Sequence, residues 1–348
     1  MAEGVLRPAA AEVDLDALSA NASALASMVA PAGLCAVVKA DAYGHGAVAA
    51  ASAALRGGAT WLAVALVEEG IELRRAGIEA PVLVLSEAPA DALRPLVAAG
   101  LVPTVYSREG LQALEEAAGG LSPAGRIDVH LKVDTGMHRV GAEPAAAVEL
   151  AGAIDRSARL RVGGTWTHLA VADRPDDPFT ATQLALFEEV LGRLHQMGID
   201  PGVRHVANSA GALRPEARFD LVRCGIALYG YPPHPRLQAC YPPLRRALRL
   251  TARVRSVACL PAGARPSYGR LRPLPRAATV ANLPLGYADG VPWRLFASGA
   301  EVLVNGRRRP LAGAVTMDQM LVDCGDERVL PGDEVVLLGR QGEEEVSA

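Results

Sequence analysis

Cys35-Ala36-Val37-Val38-Lys39-Ala40 is a short apolar run that ends in a charge and leads into Asp41-Ala42-Tyr43-Gly44-His45-Gly46. Uninterrupted apolar runs of this length are what strands buried on both faces of a parallel sheet require. Seven further runs read the same way, at 61–66, 81–86, 103–107, 128–134, 161–168, 203–208 and 221–224. Between them lie segments with helical spacing, such as 67–76, 90–99, 108–118, 145–155 and 181–197, after a first helix at 15–29. Four of these interstrand segments are followed by glycine, a helix stop. Eight strands linked by helical crossovers favour closure into a (β/α)8 barrel over an open doubly wound sheet.

A Pro-rich connector at 237–246 contains Pro242 and Pro243, and beyond it the helical spacing disappears. Valine- and leucine-rich runs at 250–260, 277–283, 300–304, 319–323 and 334–338, separated by Gly or Pro, read as a small β-domain. The expected organisation is a barrel over 12–240 followed by a smaller, mainly β domain made of 247–348 with 1–11. A chain of 348 residues suits two such domains.

Net charge is −3, with 21% charged and 50% hydrophobic residues, so no basic footprint points to nucleic acid. Five cysteines without a C-x-x-C pair argue against a disulfide framework and a structural zinc site. No cationic, apolar leader opens the sequence, and no apolar run approaches the ~18 residues of a membrane span. The expectation is a cytoplasmic protein without membrane contact. Of 35 basic residues only Lys39 and Lys132 are lysine. A lysine amine can form an imine and can lose its proton, and a guanidinium does neither, so both lysines are chemical candidates.

In a barrel, ligand-binding residues follow the carboxyl ends of the strands. Lys39 closes the first run, Lys132 and His168 end the fifth and sixth, Asn208-Ser209 follows the seventh, and Arg223-Cys224-Gly225-Ile226 the eighth. Ser209, Gly225 and Ile226 stand after the last two strands, where barrels often bind phosphate. The lysine, the phosphate site and the arginine together suggest pyridoxal 5'-phosphate.

The run 36–46 resembles the signature of the alanine racemases, pyridoxal-phosphate enzymes of fold type III. Lys132-Val133-Asp134-Thr135-Gly136-Met137-His138-Arg139-Val140-Gly141, His205-Val206-Ala207-Asn208-Ser209, Arg223-Cys224-Gly225-Ile226, Pro266-Ser267-Tyr268-Gly269, Leu285-Gly286-Tyr287-Ala288-Asp289-Gly290 and Met317-Asp318-Gln319 are similar to further motifs of that family. The resemblance implies an isomerase that interconverts L- and D-alanine and supplies D-alanine for peptidoglycan. It implies that Lys39 holds the cofactor and is one acid/base and Tyr268 the other, with His168 and Arg223 in the supporting network. A racemase needs two such groups because the proton leaves one face of the α-carbon and returns to the other.

Arg223 also resembles the partner of the pyridine nitrogen, and Arg139 the residue that contacts the cofactor's phenolic oxygen and the substrate carboxylate. Lys132 resembles a lysine that is carbamylated and positions that arginine. Tyr43, Ser209, Gly225 and Ile226 would hold the phosphate, while Tyr287 and Met317 would close a small substrate pocket. In the family the β-domain residues reach the barrel of another subunit, which implies a homodimer with shared active sites. Relative to the family the sequence stops early, before a tyrosine that contacts the phosphate, and weaker cofactor retention is expected.

Other readings carry less. A small pocket rejects one added hydroxyl poorly, so serine or broad-specificity racemisation stands beside alanine. A barrel can bind pyridoxal phosphate with little turnover, although Tyr268 and the β-domain argue against it. Gly44-His45-Gly46-Ala47-Val48-Ala49 matches a dinucleotide fingerprint, as a nicotinamide-dependent oxidoreductase would show, but stands too far after its strand. His45, His138 and His205 lack ligand spacing, so no metal is expected.

Overall fold

The computed structural model describes residues 7–119 and 125–347. They form two compact units, Leu15–Ala247 and a second built from Leu248–Ala348 with the chain up to Asp14. The first strand, β1 (Ala9–Val13), belongs to the second unit because it pairs with a strand beginning at Leu248. The N-terminal boundary therefore lies at Asp14/Leu15 rather than between residues 11 and 12.

The larger unit is an α/β barrel. Its strands are β2 (Gly33–Val37), β3 (Trp61–Val64), β4 (Val82–Val84), β5 (Thr104–Val105), β6 (Ile127–Lys132), β7 (Leu160–Trp166), β8 (Val203–His205) and β9 (Leu221–Cys224). They run parallel in two arcs, β4-β3-β2-β9 and β5-β6-β7-β8. One gap between the arcs is closed by the Leu83–Val102 bridge. The other is crossed by Arg223 N–H donating to the carbonyl of Ala207 at 3.0 Å.

Helices wrap the outside with one apolar stripe turned inward. Arg108–Gly119, for example, buries Leu111, Leu114, Ala117 and Ala118 on one face. Four helices stop identically. Gly77 N donates to Arg74 O and Ile78 N to Leu73 O, a pair repeated by Gly58 and Ala59, by Gly100 and Leu101 and by Gly198 and Ile199. These crossed bonds need a residue at positive φ, and the glycines supply it at φ 82°, 103°, 59° and 72°.

One expectation is corrected. The first apolar run leaves the sheet at Val37, so Lys39 is not a strand residue but opens a turn. Between β8 and β9 the short stretch forms two 3-10 turns, Gly211–Leu213 and Pro215–Ala217, in place of a crossover helix.

The second unit is antiparallel. Strands β10 (Leu248–Arg253), β11 (Ser256–Leu260), β12 (Ala278–Leu283), β13 (Glu301–Val304), β14 (Arg307–Pro310), β15 (Met320–Asp323), β16 (Glu334–Gln341) and β17 (Glu344–Val346) follow in chain order. One sheet has the order β1-β10-β16-β13-β14 with β17 on β16, the other the order β11-β12-β15. Ala281, Leu283, Val302, Val304, Val322 and Val335 form its core. The run 250–260 is two strands separated at Val254 and Arg255.

Candidate active site

Immediately after β2 the chain does something L-residues avoid. Ala40, Asp41, Ala42 and Tyr43 are all left-handed, with φ between 51° and 58°. At roughly 1–2 kcal/mol per residue the turn stores on the order of 4–8 kcal/mol. Hydrogen bonds hold it. Ala42 N donates to Val38 O at 2.9 Å, Gly46 N to Asp41 O at 3.0 Å, and Ala40 N to Glu69 Oε1 at 2.6 Å. The Asp41 carboxylate accepts from Ala47 N at 2.6 Å and so caps the helix Ala47–Arg56. Strain of this kind gathers at functional sites. Here it turns Lys39 and Tyr43 toward a common cavity.

That cavity, about 400 Å³, opens at the carboxyl ends of the strands. Lys39, Lys132, Arg139, His168, Ser209 and Arg223 line it, joined by Tyr43, Gly225 and Ile226. All nine barrel residues singled out in the sequence thus share one hollow. Lys39, Lys132, Arg139 and Arg223 are its basic groups, and Asp173 is the one carboxylate in the lining.

Arg223 is 2% exposed and bonded through both terminal nitrogens. Its Nη1 donates to His205 Nδ1 at 2.8 Å and His205 O at 3.0 Å. Its Nη2 donates to His168 Nδ1 at 3.0 Å and to the carbonyls of Thr167 and Val206. Since a guanidinium only donates, His168 accepts at Nδ1 and carries its proton on Nε2. Burial, then the charges of Arg223, Lys132, Arg139 and Lys39, holds the His168 pKa well below its usual value, so the ring is neutral at pH 7. The buried Gln183 amide donates to His168 O at 3.1 Å and fixes the end of that strand.

Lys132, 4% exposed, lies over the Trp166 ring at 4.2 Å, and the Arg223 guanidinium lies 4.6 Å from the same ring. Both distances are within cation–π range. Burial, aided by Arg223 and Arg139, lowers the Lys132 pKa to about 7. Among the described residues Lys132 makes no ion pair with Asp134, whose carboxylate instead accepts from Gly136 N, His138 N and His138 Nδ1.

At the phosphate-type corner Ser209 Oγ accepts from Gly225 N at 3.1 Å and Ala227 N at 3.4 Å. A Cβ on Gly225 would stand 2.5 Å from Tyr43 Oη, so any side chain there pushes that hydroxyl aside. Tyr43 leans on Tyr229 with ring centroids 4.8 Å apart, and Tyr229 Oη donates to Val37 O at 2.9 Å. Burial raises the pKa of both phenols.

Tyr268, Tyr287 and Met317 belong to the β-unit. Their side chains are 78%, 46% and 54% exposed. Tyr287 N donates to Thr316 O and Ala288 N to Met317 O, which puts the last two side by side. Ser267 Oγ donates to Ala314 O at 2.7 Å, which ties the Tyr268 turn to the same 312–317 segment.

The sequence assigns no individual role to Trp166, which lines the cavity, nor to Glu69, Asp41, His130 and His205, whose hydrogen bonds hold the turn and the rings behind it. Among the described residues no group of three or more His, Cys, Asp or Glu could hold a metal, and no helix is long and apolar enough to cross a membrane.

Known proteins share much of this sequence and this two-unit fold. The family model for the alanine racemase N-terminal domain matches residues 13–233 and that for the C-terminal domain residues 247–348. The alanine racemase of Symbiobacterium thermophilum is 48% identical over 99% of this chain and 90% of its own length. That of Thermobifida fusca is 46% identical over 95% of this chain and 88% of its own. The solved alanine racemase of Streptomyces coelicolor superposes with a TM-score of 0.91 at 40% identity, covering all of this chain and 92% of that one. With neighbours of this identity over both units, the chain belongs to the alanine racemase family, whose members are pyridoxal-phosphate-dependent isomerases.

Proposed function

We propose that the chain racemises alanine with pyridoxal phosphate seated in the barrel cavity, Lys39 holding the cofactor and sharing proton transfer with Tyr268. The observation that carries this is the convergence of Lys39, Arg223 and the Ser209–Gly225 corner on one cationic hollow. The residues fit the cofactor: a primary amine for its aldehyde, the guanidinium groups of Arg139 and Arg223 for anionic groups, and bare backbone at Gly225 for close approach.

When bound, pyridoxal phosphate supplies a conjugated sink for the electron pair left at the α-carbon. Lys39 Nζ would take or return the α-proton on one face, and Tyr268 Oη would serve the opposite face. Arg139 would bind the substrate carboxylate. Arg223 would donate to the pyridine nitrogen without surrendering its proton, while His168 is kept neutral beside it. Tyr43, Ser209, Gly225 and Ile226 would hold the phosphate. Lys132 would act as a carbamate that orients Arg139.

Tyr268, Tyr287 and Met317 would complete the pocket from a second copy of the chain, which makes the working species a homodimer. We place the enzyme in the cytoplasm, with its D-alanine feeding peptidoglycan.

The test is spectroscopic and isotopic. The purified protein should absorb in the visible, and borohydride should bleach it and leave the cofactor on Lys39. Lys39→Arg should abolish the colour. In deuterated water Tyr268→Phe should slow α-proton exchange from L-alanine far more than it weakens cofactor binding. Equal losses in exchange from both enantiomers would overturn the two-base assignment. L-Serine assayed beside L-alanine decides the substrate preference.

A further inference from the structure

We propose that Glu69 is the positioning residue for Lys39, an inference that rests on the reading of Lys39 as the cofactor-holding lysine. Glu69 stands in the first turn of the helix Val67–Arg75, and one oxygen does ordinary capping work there. Its Oε2 accepts from Leu66 N at 3.0 Å and from Ala65 N at 2.8 Å. The other oxygen leaves its own helix. Oε1 accepts from Ala40 N at 2.6 Å, the amide directly after Lys39 and the first of the four left-handed residues.

One carboxylate therefore ties the end of β3 to the start of the turn that presents both Lys39 and Tyr43. Ala65, held by the same group, lines the cavity. Only an ionised carboxylate meets this demand, because it offers two acceptor oxygens facing opposite ways. A glutamine has one acceptor oxygen and would turn an amine toward an N–H. Glu69→Gln can thus keep the bonds at Ala65 and Leu66 or the bond at Ala40, but not both.

Glu87 supplies an internal control. It too gathers three donors, Tyr106 N and Ser107 N at 2.6 Å and Ser107 Oγ at 2.8 Å, but holds the helix Arg108–Gly119 rather than the lysine turn. If Glu69 is only a cap, Glu69→Gln and Glu87→Gln should behave alike.

The experiment follows loss of pyridoxal phosphate from the holoenzyme on dilution, by visible absorbance, alongside melting temperature. Glu69→Gln should release cofactor at least tenfold faster than the parent, and Glu87→Gln within twofold of it, although both melt earlier. Should Glu69→Gln not be recovered folded, Glu69→Asp, which is too short to span both sides, should show the same faster release. Unchanged release in a folded Glu69 variant, or equal acceleration by Glu87→Gln, overturns the inference while leaving Lys39 in place. Borohydride reduction of the parent that maps the cofactor away from Lys39 overturns both.

Discussion

The guanidinium of Arg223 donates to Nδ1 of His205 across 2.8 Å, and this bond sets the tautomer of a second buried ring behind it. With Nδ1 accepting, His205 must carry its proton on Nε2, from which it donates to His130 Nδ1 at 2.9 Å. The His130 proton is thereby left on Nε2, a buried atom with no partner among the described residues. A line of donors starts at the cofactor cavity and ends inside the barrel, with every ring neutral.

That line makes the fold acid-sensitive in a defined window. Burial holds the His130 pKa down at about 3 and that of His205 well below 6.5, the latter with help from Arg223. As pH falls below about 6.5 the unfolded chain takes up protons that the folded chain refuses, so stability is complete above 6.5 and drains as pH drops toward 3. The slope is about 1.4 kcal/mol per pH unit for each such histidine. Urea midpoints measured at pH 7 and pH 5 should show this fall, and His130→Asn should make it shallower. The same slope in both proteins would contradict the account.

Lys132 is destabilising as a bare amine. With its pKa at about 7 against an ordinary 10.5, stability is complete above 10.5 and diminishes as pH falls to 7, where about half the amine is protonated. Capture of carbon dioxide by the neutral amine forms an N–C bond and releases one proton, two when counted from the ammonium form, and leaves an anion among the cations. Bicarbonate should therefore raise the melting temperature at pH 7 by a few degrees, and Lys132→Met should abolish the rise. A bicarbonate effect of equal size in that variant would place the carbamate elsewhere.

Gly225→Ala inserts a methyl group 2.5 Å from the Tyr43 hydroxyl. We expect at least a tenfold loss of cofactor affinity with a modest loss of stability, because the crowded atom is the movable end of a side chain. Adding Tyr43→Phe to Gly225→Ala should recover part of the stability but not the phosphate contact. Equilibrium titration with pyridoxal phosphate separates the two effects.

Asp41→Ala removes the cap on the helix Ala47–Arg56 and frees a left-handed turn from one of its ties. The expected cost is about 1–2 kcal/mol, read from chemical denaturation. Asp41→Asn, which keeps an acceptor oxygen, should lose less than half of that.

The barrel was legible because its strands are continuous apolar runs and its helices end on glycine, both local features of the chain. The scarcity of lysine likewise points to Lys39 and Lys132. The left-handed turn was not legible. Val38, Ala40 and Ala42 extend the apolar run past Val37, while the bond that bends the chain away comes from Glu69, far along the sequence. Arg307–Pro310 was missed as a strand because Arg-Arg-Arg-Pro has no apolar alternation, and it is held by pairing with Glu301–Val304. His130 and His205 could not be linked from sequence, since only closure of the barrel brings them within 2.9 Å.

Both lysines open onto a single hollow. Apart from the amino terminus, reagents that acylate or alkylate primary amines thus have no target on the outer surface of this protein, whose positive charge is carried by guanidinium groups. Labelling stoichiometry becomes a direct gauge of occupancy: a molecule with its vitamin-derived aldehyde in place should resist modification at Lys39, and one stripped of it should not.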